Sequence, residues 1–229
     1  MLLKHVKTYE ELQQSFSEIY RWFSSLKNID FSELLPNKTS HIIIDMVNGF
    51  VKTGALSSKE VLSINNDVAA FAKLCTESGI TNIAFADSHG ADCEEFKTYP
   101  VHCVEGTYES EITDEIKSSA KFTLVKKNST NGFIEPEFQK LIYTTDSDMF
   151  IVTGDCTDMC VIQFAMALKS DFNRRNIHSR VIVPYELTAT CSMPGHDPEL
   201  SEIIALYVMN INGIEVVKNI TENSETANK

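Results

Sequence analysis

Short apolar runs alternate with longer stretches of helical periodicity along most of this chain, and that alternation limits the fold more than any other feature. After Pro36, residues 41–46 (HIIIDM) form a short apolar run carrying Asp45. Residues 59–78 have helical spacing and stop at Gly79. Residues 81–86 are a second run, ended by Asp87; residues 121–125 are a third, followed by Lys126 and Lys127. Residues 136–143 read as a short helix, 149–152 as a fourth strand, and 157–169 as the helix after it. Residues 179–183 make a fifth strand ended by Pro184, 198–210 a helix, and 214–217 the last strand. Strands alternating with helices imply right-handed βαβ units. The expected fold class is α/β, with three α/β/α layers and a mainly parallel central sheet.

Ahead of the first strand, residues 8–27 read as an amphipathic helix. Thr8 and Glu11 suit a capping box, and Leu12, Phe16, Ile19, Phe23 and Leu26 recur at spacings of three and four. Its polar face is not basic, so packing against the domain or a second subunit explains it better than a membrane does. The expected organisation is an N-terminal helical extension (1–36), one α/β domain (37–220) and a polar tail (221–229), frayed beyond Lys218.

A chain of 229 residues with 43% hydrophobic content can bury one sizeable core. Its 20 basic and 32 acidic residues give a net charge of −12, which argues against nucleic acid or an anionic membrane as the main partner. No stretch approaches the roughly 18 apolar residues of a membrane span. The first eight residues are too poor in apolar side chains for a secretory leader. The cysteines, Cys75, Cys93, Cys103, Cys156, Cys160 and Cys191, therefore read as reduced thiols of a cytoplasmic protein. Cys156 and Cys160 have no second Cys/His pair at zinc-finger spacing, so a structural zinc site is not expected.

Asp45, Asp87, His89, Lys127 and Cys160 all fall at or just beyond the carboxyl ends of expected strands, the edge where open α/β sheets bind ligands. Cys160 lies in the first turn of a helix, whose N-terminal dipole and N–H groups favour a thiolate and can stabilise an oxyanion beside it. Read alone, such a cysteine is more often a small buried hydrophobe. Asp45 with Lys127 could supply proton transfer to such a thiol. Alone, Asp45 is a turn residue and Lys127 a solvated lysine that Lys126 could replace. Asp87 and His89, two apart, with Glu95 and His102 a short loop away, make a mixed N/O set suited to one divalent ion, Zn2+, Fe2+ or Mn2+. His102 could instead be a core histidine, and Glu94 and Glu95 surface charge. Phe50 and Tyr99 suit a flat, ring-shaped substrate, or plain core.

Taken together, these motifs resemble the isochorismatase-like cysteine hydrolase superfamily, and within it the nicotinamidase (pyrazinamidase) branch. The resemblance runs from about His41 to Val217, through IIDMVNGF around Asp45, DSH at residues 87–89, YPVHCVEGT at 99–107, KNSTNGF from Lys127, and TGDCTDMCV around Cys160. His196 and the segments after it are also family-like. The resemblance implies Cys160 as nucleophile, Asp45 as general base and acid, and Lys127 as the group that orients Asp45. It implies an oxyanion hole from the N–H groups of Cys156 and Cys160, with a cis Asp155–Cys156 peptide. It implies one divalent metal, Zn2+ foremost, held by Asp87, His89 and His102 with Glu95 as a fourth candidate, and Phe50 and Tyr99 flanking the ring. The implied reaction is hydrolysis of nicotinamide to nicotinic acid and ammonia through a thioester, by a cytoplasmic homo-oligomer. The alternatives are a relative acting on another small amide, such as an N-carbamoyl compound or ureide, and a non-catalytic binding protein. Ser88, where nicotinamidases often carry an aromatic, and the short loop from His89 to His102 depart from the branch.

Overall fold

The computed structural model describes residues 7–222. Helix α1 (Tyr9–Ser24) starts as expected: the Thr8 hydroxyl accepts the Glu11 N–H, and the Glu11 carboxylate accepts the Thr8 N–H at 2.7 Å. Trp22, Phe23 and Leu26 pack against the core, whereas Leu12 stays exposed. The chain continues through β1 (Ile29–Asp30), β2 (Thr39–Ile44), α2 (Asn48–Val51), α3 (Lys59–Glu77), β3 (Thr81–Asp87), α4 (Asp114–Ser119), β4 (Thr123–Lys127) and α5 (Pro136–Thr144). Then come β5 (Met149–Asp155), α6 (Ile162–Arg174), β6 (Arg180–Pro184), β7 (Thr188–Ala189), α7 (Pro198–Ile211), β8 (Glu215–Val217) and β9 (Ile220–Thr221).

The main sheet has the order β4-β3-β2-β5-β6-β8, with β7 beside the end of β5, and every pairing is parallel. All six residues of β2 are buried, as a central strand covered on both faces requires. On one face Ile43 and Ile151 join Val68 and Phe71 of α3. On the other, Ile42, Ile44 and Val152 pack with Phe138 of α5, Phe164 and Leu168 of α6 and Leu206 of α7. The strand order reverses between β2 and β5, so the crevice beyond their carboxyl ends is the topological switch point. These two strands approach so closely at Gly154 (φ +108°) that a Cβ there would lie 1.9 Å from the Ile44 carbonyl oxygen.

Three boundaries differ from the sequence reading. Strands β4 and β5 run past their apolar stretches to Lys127 and Asp155. The helix after β5 opens with a π-helical turn, Thr157–Val161, before α6 begins. Ile220 and Thr221 are not frayed; they pair with Ile29 and Asp30 in a second small sheet, and Ile220 is buried. The leader reading of residues 1–6 and the polar tail from residue 223 lie outside the described residues.

Candidate active site

Four strand ends build the site. Asp45 follows β2 with a left-handed backbone (φ 53°), a conformation that Asp tolerates better than most side chains. Its carboxyl group is fully buried. Along β4 the alternation settles which lysine points inward. Val125 and Lys127 are buried, while Lys126 is exposed and paired with Glu105 at 2.9 Å. Lys127 Nζ lies 2.8 Å from Asp45 Oδ2 and 2.5 Å from Asp87 Oδ1. It also donates to the Ser129 carbonyl at 3.1 Å and lies 3.7 Å from Cys160 Sγ. Gly132 leaves room for this arrangement, since a Cβ there would press on the Phe85 ring and sit 3.3 Å from Lys127 Cδ. Cys160 is buried within the π-helical turn, and the Asp155–Cys156 peptide is cis.

Electrostatics separate the two carboxylates that share Lys127. Burial pushes Asp45 up to about 7, against the pull of the Lys127 ammonium. Burial also acts on Asp87, but its neighbours, the Lys127 ammonium first, hold that carboxyl below its ordinary range. Lys127 keeps its charge because Asp45 and Asp87 more than offset its own burial. The pair thus divides into a fixed anion, Asp87, and a group able to take and return a proton near neutrality, Asp45. The helix start favours a thiolate at Cys160, but burial pushes the thiol well above its ordinary range, and Lys127 offsets this only in part. Asp45 and Lys127 lie beside it.

The second oxygen of Asp87 faces the histidines. Asp87 Oδ2 lies 3.3 Å from His89 Nε2 and 3.5 Å from His102 Nε2, and the two Nε2 atoms are 3.1 Å apart. His102 Nδ1 sits 2.7 Å from the Pro100 carbonyl oxygen and His89 Nδ1 3.2 Å from Asn128 Oδ1. Such acceptors take the Nδ1 protons and leave Nε2 lone pairs converging on Asp87. Two lone pairs and a carboxylate oxygen packed this closely repel one another unless a cation lies among them. The donor set therefore fits a divalent ion with N/O preference. The short loop closes because the backbone at His89 pairs with Cys103 and Glu105. Glu95 stands outside this cluster; its Oε1 accepts the Thr130 N–H at 2.9 Å. Glu94 is exposed and pairs with Lys97.

A cavity connects the two groups, walled by Phe50, Leu56, Tyr99, His102, Cys160 and Met193. The Phe50 ring centroid lies 5.6 Å from that of His102, and the Tyr99 centroid 6.3 Å from it. Glu95 and Cys156 also reach the wall. Sequence reading missed Phe96, which packs edge-on against both histidines, and Asn128. It also missed the far wall, where Met159 of the π-helical turn stands with Cys191 and Met193 from a loop without a motif. The signal for that wall was Asp158 with His196: Asp158 Oδ2 is 2.6 Å from His196 Nε2 and Oδ1 accepts the Thr190 hydroxyl at 2.7 Å. These contacts tie the π-helical turn to the loop bearing Cys191 and Met193.

The family model described as the isochorismatase domain matches residues 39–211. Nicotinamidase 1 of Arabidopsis thaliana is 30% identical over a 220-residue alignment covering 82% of this chain and 90% of that protein. Among solved structures, PnC1 of L. infantum in complex with nicotinate superposes with a TM-score of 0.69 at 18% identity, covering 85% of this chain and 100% of that one. The pyrazinamidase of Pyrococcus horikoshii in complex with zinc gives 0.64 at 22% identity, covering 79% and 99%. The parallel sheet, its switch-point site and these matches together show that the chain belongs to the isochorismatase-like hydrolase family, in its nicotinamidase branch.

Proposed function

We propose that this protein is an amidohydrolase that converts nicotinamide to nicotinic acid and ammonia, with Cys160 as nucleophile. The observation that carries the reading is the single ammonium of Lys127 joining Asp45, Asp87 and Cys160. It sets a proton-transfer group beside a thiol that lines a cavity walled by aromatic side chains.

Asp45 removes the Cys160 proton as the sulfur adds to the carboxamide carbon. The backbone N–H groups of Cys156 and Cys160 receive the developing oxyanion. Asp45 then gives its proton to the departing nitrogen, the C–N bond breaks, and ammonia leaves a thioester. Water attacks the thioester carbon while Asp45 takes its proton; the C–S bond breaks, and acid and thiol are regenerated. Lys127 holds Asp45 in register throughout and screens the charge gathered there. Phe50 and Tyr99 hold the ring. Asp87, His89 and His102 would hold one divalent ion, Zn2+ foremost, which would supply a Lewis-acid contact for a pyridine nitrogen. Glu95, at the same wall, is the candidate for a further contact to it. That cluster favours nicotinamide over an N-carbamoyl compound or ureide, in which a pyridine-type nitrogen is not part of the reacting group.

Among the described residues no helix is long and apolar enough to cross a membrane; the reading places the enzyme in the cytoplasm, as a homo-oligomer. The test is ammonia release from nicotinamide before and after chelation. Release that falls on chelation and returns with Zn2+, Fe2+ or Mn2+ supports the reading; no release with any of them sinks it.

A further inference from the structure

Asp155 ends β5 inside the cavity wall and has no role in the chemistry above. It is 1% exposed, and its Oδ2 has no hydrogen-bond partner among the described residues. Its other oxygen has only a weak neighbour, the Cys156 thiol at 3.8 Å. Burial, then the Asp45 carboxyl and the Cys191 thiol, push the Asp155 carboxyl well above its ordinary range; Lys127 opposes this and Asp87 reinforces it. A buried carboxyl with an unpartnered oxygen destabilises a fold, and an apolar side chain of similar shape would fill the space at no such cost. Local packing therefore gives no reason for an acid here. The other groups at this wall, Cys156 and Cys160, are those proposed to meet the scissile group.

We propose that Asp155 is a further substrate-binding residue, whose carboxyl group hydrogen-bonds the carboxamide of the bound substrate. The inference rests on the amidohydrolase reading above. A neutral carboxyl presents one donor and one acceptor, and a primary carboxamide presents the complementary acceptor and donors. The contact fixes the amide before the sulfur adds, and favours primary carboxamides over esters or acids of the same ring, which lack the N–H donors.

The experiment compares Asp155→Asn and Asp155→Val with wild type, by kcat and KM for nicotinamide and by Tm. Asp155→Val should melt higher than wild type yet lose about 10- to 100-fold in kcat/KM, mainly through KM, the scale of one buried hydrogen bond to substrate. Asp155→Asn, which keeps a donor and an acceptor, should restore most of that loss. Asp155→Val within about threefold of wild type, or Asp155→Asn as slow as Asp155→Val, overturns the inference, since a lost substrate hydrogen bond exceeds that range. Asp155→Ala replaces Asp155→Val if the latter does not fold. If wild type itself releases no ammonia from nicotinamide, the functional reading falls, and Asp155 is judged by alkylation of Cys160. Iodoacetamide, which carries a primary carboxamide, should then react several-fold slower with Asp155→Val than with wild type, and methyl methanethiosulfonate, which carries none, at the same rate. Equal ratios for the two reagents overturn the inference.

Discussion

Replacing Asp45 by Asn should make the protein more stable and nearly inactive, and the stability gain should depend on pH in a defined way. Asp45 ionises near 7 in the folded protein, against 3.8 for the free side chain. A carboxyl raised in the fold costs nothing below about pH 4, where both states are protonated. As pH rises the unfolded chain ionises first, so the cost grows until pH 7 and is constant above it. At about 1.4 kcal/mol per pH unit, the full cost is about 4 kcal/mol. Asn is uncharged at every pH and has nearly the same shape. The variant should therefore match wild type near pH 4 and exceed it by about 3–4 kcal/mol at pH 8, roughly 10 °C in Tm for a domain of this size. Over the same interval kcat/KM should fall by at least about a hundredfold, because the same carboxyl is proposed to serve as base and as acid. Thermal melts of both proteins from pH 4 to 8, alongside ammonia release, measure both effects. A Tm difference that stays flat with pH, or an Asn variant that is less stable at pH 8, would refute the account of Asp45 as a proton carrier held in a costly burial site.

Three further outcomes are expected. Cys160→Ala should abolish ammonia release while leaving the melting transition in place; residual turnover above background contradicts the nucleophile assignment. His102→Ala should lose bound metal in elemental analysis and raise KM for nicotinamide, whereas unchanged metal content removes His102 from the site. Gly154→Ala should fail to accumulate as folded protein, because its Cβ would meet the Ile44 carbonyl oxygen at 1.9 Å at the centre of the sheet; a soluble variant with native Tm would show that β2 and β5 are not in this close contact.

Much of the site was legible because each reactive group ends a strand. Asp45, Asp87 and Cys160 could be placed at one edge from the apolar runs before them. Apart from the resemblance, Lys127 was separable from Lys126 only once the strand was known to continue: apolar content stops at Val125, but the in–out alternation carries on for two residues. The burial of Cys160 was out of view for a different reason. A helix start and a nearby lysine are visible in sequence, whereas the desolvation that outweighs them depends on what covers the turn. Asp155 was invisible as a site residue because an acid at a strand end also reads as a cap; its burial distinguishes it. The β1–β9 pairing joins residues from opposite ends of the described chain, and no local pattern announces it. Phe96 and Asn128, which contact the histidines, lie in a single 3-10 turn and just past β4, too short or too late for a periodic pattern to mark them.

The most direct test of the central claim is intact-mass analysis of enzyme mixed with nicotinamide and quenched in acid within the first turnovers. The mechanism predicts a species heavier by one nicotinoyl group, attached at Cys160, absent from Cys160→Ala, and decaying as nicotinic acid appears. Release of nicotinic acid and ammonia with no acylated species, together with turnover by Cys160→Ala, would contradict it.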